Sequence, residues 1–331
     1  MRPRPTLEDV AARAGVSRAL VSLVIRGASG ASEATRARVL KIADEIGYRP
    51  DPRARLLARG RSRLIGVTFA AHQPFHADLL EGVYRAAEPA GYDIVLSALT
   101  PSRREHRAIE ALLDYRCEGL LLLGPETTTG RLGELAGQLP LVVVARRVRD
   151  ASVHVVRTAD DDGVKLAVDH LVSLGHREIV HVDGGRAPGA TDRRRGYRTA
   201  MRRHDLPARV VPGSLTEEAG SAAARQLLSE GLPSAVVAFN DRCAVGLLDT
   251  FLRAAVAVPG DVSVVGFDDD RLSRLAHVNL TTVGQDVPTL AGLAVQQLVA
   301  RLDGGTGAAH EDVVAPHLIV RGTTAQRRQR L

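Results

Sequence analysis

Arg193, in ATDRRRGY, and Asp268, in GFDD, carry the chemistry best suited to a binding site in this 331-residue chain. A carboxylate accepts hydrogen bonds from pairs of hydroxyls, and a guanidinium donates to ring or hydroxyl oxygens. Facing one another across a cleft, the two would suit a polyhydroxylated ligand. Asn240, in FND, follows an apolar run, as does Asp268, and Phe75 and His76, in PFHADLLEG, follow the first of the series. Blander roles stand beside these: Asp268 as a helix cap, His76 as an ordinary loop histidine. Reactive chemistry is missing from the pattern. GGRAPG lacks the Lys-Ser/Thr of a phosphate loop, there is no G-x-S-x-G elbow, and no nucleophile, base and oxyanion set can be assembled. HREIVHVD has the look of a metal cluster, but His181 and Asp183 alternate along a strand while His176 belongs to a loop. Cys117 and Cys243 stand alone, against a disulfide scaffold or a cysteine zinc site. An enzyme, a cofactor and a metal are therefore not expected.

Such residues need strand ends to hold them. LIGVTFA, YDIVLSA, GLLLLG, PLVVVA, VHVVRT, EIVHVDGG, SAVVAFN and VSVVGFDD read as buried strands, separated by amphipathic stretches such as ADLLEGVYRAAEPAG and DGVKLAVDHLVSLG. Strand–helix alternation of this length predicts doubly wound parallel sheets with helices on both faces. Residues 64–331 suit two lobes. One takes about 64–158 and 287–315, the other about 159–286 and 316–331. In open parallel sheets ligands sit at the carboxyl ends of the strands, here in the cleft between lobes.

The first fifth of the chain differs in charge. Residues 1–63 hold 14 Lys or Arg against 6 Asp or Glu, whereas the rest holds 30 against 32. A small basic head on a neutral body is the footprint of nucleic-acid binding, although a basic arm also serves solubility. Thr6 precedes LEDVAARA with Asp9 three residues on, a capped amphipathic helix. Gly15 supplies a turn, and Ser17 caps a second helix from about Arg18 to Arg26. Leu20, Val21, Val24 and Ile25 share one side of it, and Arg18, Ala19, Ser22, Leu23 and Arg26 the other. Ser32 opens a third helix with Val39, Leu40, Ala43 and Ile46 expected inward. Three short helices with a tight turn between the first two predict an all-α helix-turn-helix head over residues 1–50.

The stretch TLEDVAARAGVSRALVSLVIRG…SEATRARVLKIADEIGYRPDPRAR resembles the head of the lactose-repressor/galactose-repressor (LacI/GalR) family of bacterial transcription regulators. The resemblance implies that Arg18, Ala19 and Leu23 read base edges. Arg18 would donate to a guanine, and Ala19 and Leu23 would make apolar contact with thymine methyls. For Leu23, internal packing is the alternative reading. Thr6, Ser17, Ser22 and Arg26 complete the expected DNA-contacting face of the head. Residues 51–63 would form a hinge: Asp51 and Pro52 open a helix too short to be stable alone. By resemblance it folds in the minor groove, with Arg53 and Ala54 at the DNA and Leu57 as a wedge between base steps. The resemblance also implies a type I periplasmic-binding-protein arrangement of the body, with Phe75, His76, Arg193, Asn240 and Asp268 as effector contacts.

The expectation is a sequence-specific regulator, usually a repressor. It would bind a pseudo-palindromic double-stranded operator as a homodimer and respond to a small effector, a sugar or similar polar metabolite. A solute-binding protein without a regulatory role, or a doubly wound enzyme, are the alternatives. No apolar run spans a bilayer, and MRPRPTLEDV lacks the apolar core of an export signal, so a cytoplasmic protein is expected.

Overall fold

The structure, a computed structural model, describes residues 5–48, 61–305 and 307–327. The chain divides into two compact units, one ending at Ser62 and the other beginning at Arg63. The expected hinge, with Arg53, Ala54 and Leu57, lies outside the described residues.

In the first unit, α1 (Leu7–Ala14), α2 (Arg18–Ile25) and α3 (Glu33–Glu45) surround a small core of Val10, Val21, Val24 and Val39 with Ala11, Ala14 and Ala43. Local chemistry fixes the ends. The Thr6 hydroxyl accepts from the Asp9 N–H at 3.3 Å, while the Asp9 carboxylate accepts from the Thr6 N–H at 2.7 Å. This reciprocal box holds the Asp9 carboxyl below the usual carboxylate range. Gly15 then turns the chain at φ 63°, a left-handed conformation that costs glycine nothing. Ser17 and Ser32 cap the next two helices through the N–H groups of Leu20 and Thr35. Leu40 departs from the expected inward set: it is 47% exposed. The buried stripe of α3 runs through Val39 and Ala43 with Ile42 and Ile46 beside them, and Leu40 sits one residue, about 100° of helical turn, past Val39.

The second unit contains two six-stranded sheets. The first has the order β11–β5–β4–β3–β1–β2, built from β1 (Leu64–Ala70), β2 (Asp93–Leu99), β3 (Gly119–Leu123), β4 (Leu141–Val144), β5 (His154–Thr158) and β11 (Glu311–Val314). Every pairing in it is parallel. The second runs β12–β10–β9–β8–β6–β7, from β6 (Ile179–Val182), β7 (Arg209–Val211), β8 (Ala235–Val237), β9 (Ser263–Asp268), β10 (Thr281–Gly284) and β12 (His317–Ile319). It is parallel except where β12 runs against β10.

Helices cover both faces of each sheet, which is why the strand sequences are apolar throughout rather than alternating. On the first sheet, α4 (Pro74–Ala87) and α11 (Val287–Leu302) bury Leu79, Val83, Leu290 and Val295 against Ile65, Val67 and Leu121. The other face takes α5 (Glu105–Asp114) and α6 (Thr129–Ala136). On the second sheet, α7 (Asp160–Ser173) and α8 (Ala190–Arg203) cover one face. The other is covered by α9 (Glu217–Glu230) and α10 (Asp241–Arg253). The chain passes between the sheets three times, at 158–160, 284–287 and 314–317. Both sheets share one strand order with a reversal beside the first strand, so β1/β3 and β6/β8 are the switch points where ligands settle.

Candidate functional site

On the head, α2 presents its polar side outward. Arg18 has a side chain 68% exposed and paired with Glu8 of α1 at 3.1 Å. Ala19 is exposed beside it, and Ser22 is half-buried. Leu23 is also half-buried, its Cδ1 lying 3.2 Å from the point a Cβ on Gly30 would occupy, so it rests partly on the loop after α2. Arg26 is exposed and donates from Nε to the Ser22 carbonyl at 3.1 Å. Thr6 and Ser17 are exposed, and the hydroxyl oxygens of both accept capping hydrogen bonds. Sequence reasoning missed Arg36, whose Nη2 donates to the Ala28 carbonyl at 2.6 Å and ties α3 to the loop behind the reading helix. An arginine bonding a carbonyl eight residues back leaves no periodic signal.

In the body, Arg193 sits in the first turns of α8 with a side chain 7% exposed. Each of its three nitrogens has an acceptor: Nε donates to Asp160 Oδ1 at 2.8 Å, Nη1 to the Phe239 carbonyl at 2.7 Å, and Nη2 to Asp268 Oδ1 at 3.4 Å. Its guanidinium lies over the Phe267 ring at 3.6 Å and the Phe239 ring at 4.7 Å. Five N–H donors with three engaged leave two for a ligand. The stack and the carboxylates fix the plane of the group before any ligand arrives.

Asp268 ends β9 with φ 110°, a conformation rare outside glycine. Its Oδ1 accepts from Arg193 and, at 2.7 Å, from Gln285 Nε2. Gln285 in turn accepts from Thr158 Oγ1 at 2.5 Å. Thr158 and Gln285 sit at two of the passages between the sheets, so Asp268 is bonded directly to one passage and, through Gln285, to the other. Burial pushes the Asp268 carboxyl up to about 6 despite the neighbouring Arg193. Burial likewise raises Asp160, against the pull of the same arginine, and raises Asp241 well above the ordinary range.

His76 lies in the first turn of α4, where its Nδ1 accepts from the Ala70 N–H at 3.0 Å. A Cβ added to Gly124 would fall 3.1 Å from His76 Nε2 and 3.6 Å from Pro188. His76 of one lobe and Pro188 of the other therefore both approach Gly124, at the first sheet's switch point. Burial lowers this imidazole to about 4, so it is neutral at physiological pH. Phe75 is not a free platform: it is buried in the first lobe's core with Leu79 and Leu290. Asn240 caps α10, its Oδ1 accepting from the Cys243 N–H at 2.9 Å and its Nδ2 donating to the Leu215 carbonyl at 3.2 Å.

In the sequence, Asp160 is only one of three acids favouring a helix start. Asp161 and Asp162 pair with Lys165, as such acids do, whereas Asp160 turns inward to Arg193. Further contacts among the described residues join the lobes: Arg147 to Asp192 at 3.5 Å, Arg242 Nη1 to the His72 carbonyl at 2.9 Å, and Arg271 to Asp78 at 3.3 Å and to Glu81 at 4.0 Å. No group of metal-ligating side chains is assembled among the described residues, nor is any helix there long and apolar enough to cross a membrane.

Residues 6–51 match the bacterial regulatory proteins of the lacI family, and residues 168–324 match the periplasmic binding protein-like domain. The chain is 34% identical to the ribose operon repressor of Escherichia coli (strain K12), over 96% of this chain and 99% of that one. It is 32% identical to the transcriptional regulator AscG of the same organism, over 91% and 93% respectively. Among solved structures, a LacI transcriptional regulator from a Rhodococcus species shares 49% identity over 80% of this chain and 98% of its own, with a TM-score of 0.77. The lac repressor dimer bound to operator and the anti-inducer ONPF superposes with a TM-score of 0.85 at 27% identity, covering 98% of this chain and 100% of that one. The chain belongs to the lacI family of bacterial regulatory proteins: it is a transcriptional regulator, not an enzyme.

Proposed function

We propose that this regulator is a cytoplasmic repressor. Two copies read a pseudo-palindromic operator through their heads, and a sugar or similar polar metabolite bound between the lobes sets operator affinity. Residues 1–50 are the DNA-binding head, 51–63 the hinge, and 64–331 the effector-binding and dimerisation body. Arg18, Ala19 and Leu23 face the bases. Thr6, Ser17, Ser22 and Arg26 face the backbone nearby, and Arg53, Ala54 and Leu57 act at the operator centre. In the cleft, Arg193, Asp268 and His76 present polar groups to the effector, while Phe75 and Asn240 hold the walls that carry them.

The observation that supports this reading most strongly is the trio Asp160–Arg193–Asp268 at the carboxyl ends of the second lobe's strands. Breaking a buried, hydrogen-bonded ion set by removing one partner costs roughly 3–5 kcal/mol, so its orientation is fixed before a ligand binds. The bond from Asp268 through Gln285 to Thr158 supplies a route by which filling the cleft biases the lobes. The test is selection of bound sites from random duplex DNA by the intact protein, repeated with a panel of sugars. A two-fold symmetric site whose recovery changes with one sugar supports the reading. Recovery of unselected sequence under every condition refutes it.

A further inference from the structure

We infer that the cleft selects uncharged polyhydroxylated ligands and rejects their phosphorylated or carboxylate forms; this rests on the effector reading above and narrows it to one charge class. The basis is the pairing of charges around Arg193. Four arginines and five carboxylates form two adjoining sets. Arg193 pairs with Asp160 and Asp268; beside them Arg147 pairs with Asp192 and Glu311, Arg157 with Glu311, and Arg195 with Asp192 and Asp161. Asp160 feels the charges of Asp192 and Arg157, which couples the two sets. Each cation is already matched. Arg242 is held by both oxygens of Glu217, and Arg146, whose Nη1 donates to the carbonyls of Pro125 and Thr127, feels the charges of Glu105 and Glu126. Arg186 stands exposed on the loop after β6, outside the buried set.

The carboxylates, by contrast, exceed their partners. Behind Asp268 lie Asp241 and Asp270, both buried. Asp241 is held by Thr282 Oγ1 and the Asp270 N–H, and Asp270 by the N–H groups of Leu272 and Ser273; neither forms a salt bridge among the described residues, although Arg242 feels the charge of Asp270. The second oxygen of Asp268 takes no hydrogen bond within the described residues, so an acceptor is left open for a hydroxyl. A phosphate monoester brings a charge of about −1.5 to −2 at pH 7. Arg193 keeps two N–H donors, but its charge is already balanced by Asp160 and Asp268, so no unmatched cation of the buried set offsets the added anion. An alcohol brings no charge and supplies the proton that the open carboxylate oxygen lacks. Burial raises both Asp160 and Asp268, with the charges of neighbouring carboxylates adding a smaller push in the same direction.

The experiment is calorimetric titration of the intact protein with free sugars (ribose, glucose, galactose, cellobiose) and with ribose 5-phosphate, glucose 6-phosphate, galactose 6-phosphate and glucuronate. The expected result is that at least one free sugar binds and its charged counterpart binds at least 100-fold more weakly. In Asp160→Asn, which leaves Arg193 one carboxylate short, the gap should narrow at least tenfold. A thermal melt checks that this variant is folded, and the ratio of two affinities on one protein cancels any general loss. A phosphate ester binding as tightly as its parent sugar, or an unchanged ratio in folded Asp160→Asn, overturns the inference while leaving the effector reading intact. Binding by neither class refutes the sugar reading itself, and this inference with it.

Discussion

The molecule uses the same ion pair in two ways. Arg18 and Glu8 meet at 3.1 Å on the surface of the head, with side chains 68% and 62% exposed. Arg193 and Asp160 meet at 2.8 Å in the body, with side chains 7% and 6% exposed. Water and salt screen the first, so it contributes about 0–1 kcal/mol and lets go at little cost when a better acceptor, such as a guanine edge, is offered. The second has been taken out of water and stacked on Phe267, so it has nowhere else to go. In the proposed reading, the residue that grips a variable partner is exposed and loosely held, and the one that presents a fixed shape is buried with three of its five N–H donors engaged.

Removing either arginine separates the two cases most sharply. Arg193→Ala leaves Asp160 and Asp268 buried without their cation and should destabilise the body by about 3–5 kcal/mol, seen as a lower denaturation midpoint. A loss under 1 kcal/mol would show that the pair is not a structural fixture. Arg18→Ala should leave the melt unchanged while weakening operator binding by about 1–3 kcal/mol and relaxing base choice at one position. Equal weakening on all sequences would assign Arg18 to a phosphate instead.

Asp268→Asn keeps the size of the side chain but removes its charge. Losing a hydrogen bond to a charged group costs about 1.5–3 kcal/mol, so sugar affinity should fall roughly 10- to 100-fold with basal operator affinity retained. Because the Asp268 carboxyl titrates at about 6 in the folded chain, above the usual value, this group binds its proton more tightly folded than unfolded. Its contribution to stability is therefore present at low pH and declines as pH rises from about 4 to about 6. Sugar affinity should move oppositely, falling as pH drops through about 6, and Asp268→Asn should flatten both profiles. The smallest effect is expected for Thr6→Ala, about 1 kcal/mol of head stability from the lost cap. A change below 0.3 kcal/mol in the head's own melt would mean the box is not holding α1.

The two regions also differ in how much of them the sequence discloses. The head is built from local signals: Thr6 with Asp9, Gly15, Ser17 and Ser32 each act within four residues, so its three helices are legible in the sequence itself. Leu40 fails there because a helical wheel ranks hydrophobicity without knowing that α1 and α2 cover only the Val39–Ala43 stripe of α3. The sheets of the body are legible for the same local reason, since runs such as GLLLL are too apolar to be anything but buried. The cleft is less so. Asp268 is visible because it ends an apolar strand run and Arg193 through the family resemblance, yet Asp160 reaches Arg193 from 33 residues away, Gln285 reaches Asp268 from 17, and Thr158 reaches Gln285 from 127. Asn240 and Phe75 stand where the sequence puts them, but the fold uses both for caps and core, a distinction that depends on which way a side chain turns.

The most direct test of sugar-controlled DNA binding is the affinity of the intact protein for its selected operator duplex, measured by fluorescence anisotropy with and without the bound sugar. The predicted result is a shift of roughly 5- to 150-fold with sugar, the range of a coupling of about 1–3 kcal/mol, and its disappearance in Asp268→Asn. A sugar that saturates the cleft yet leaves operator affinity unchanged would contradict it.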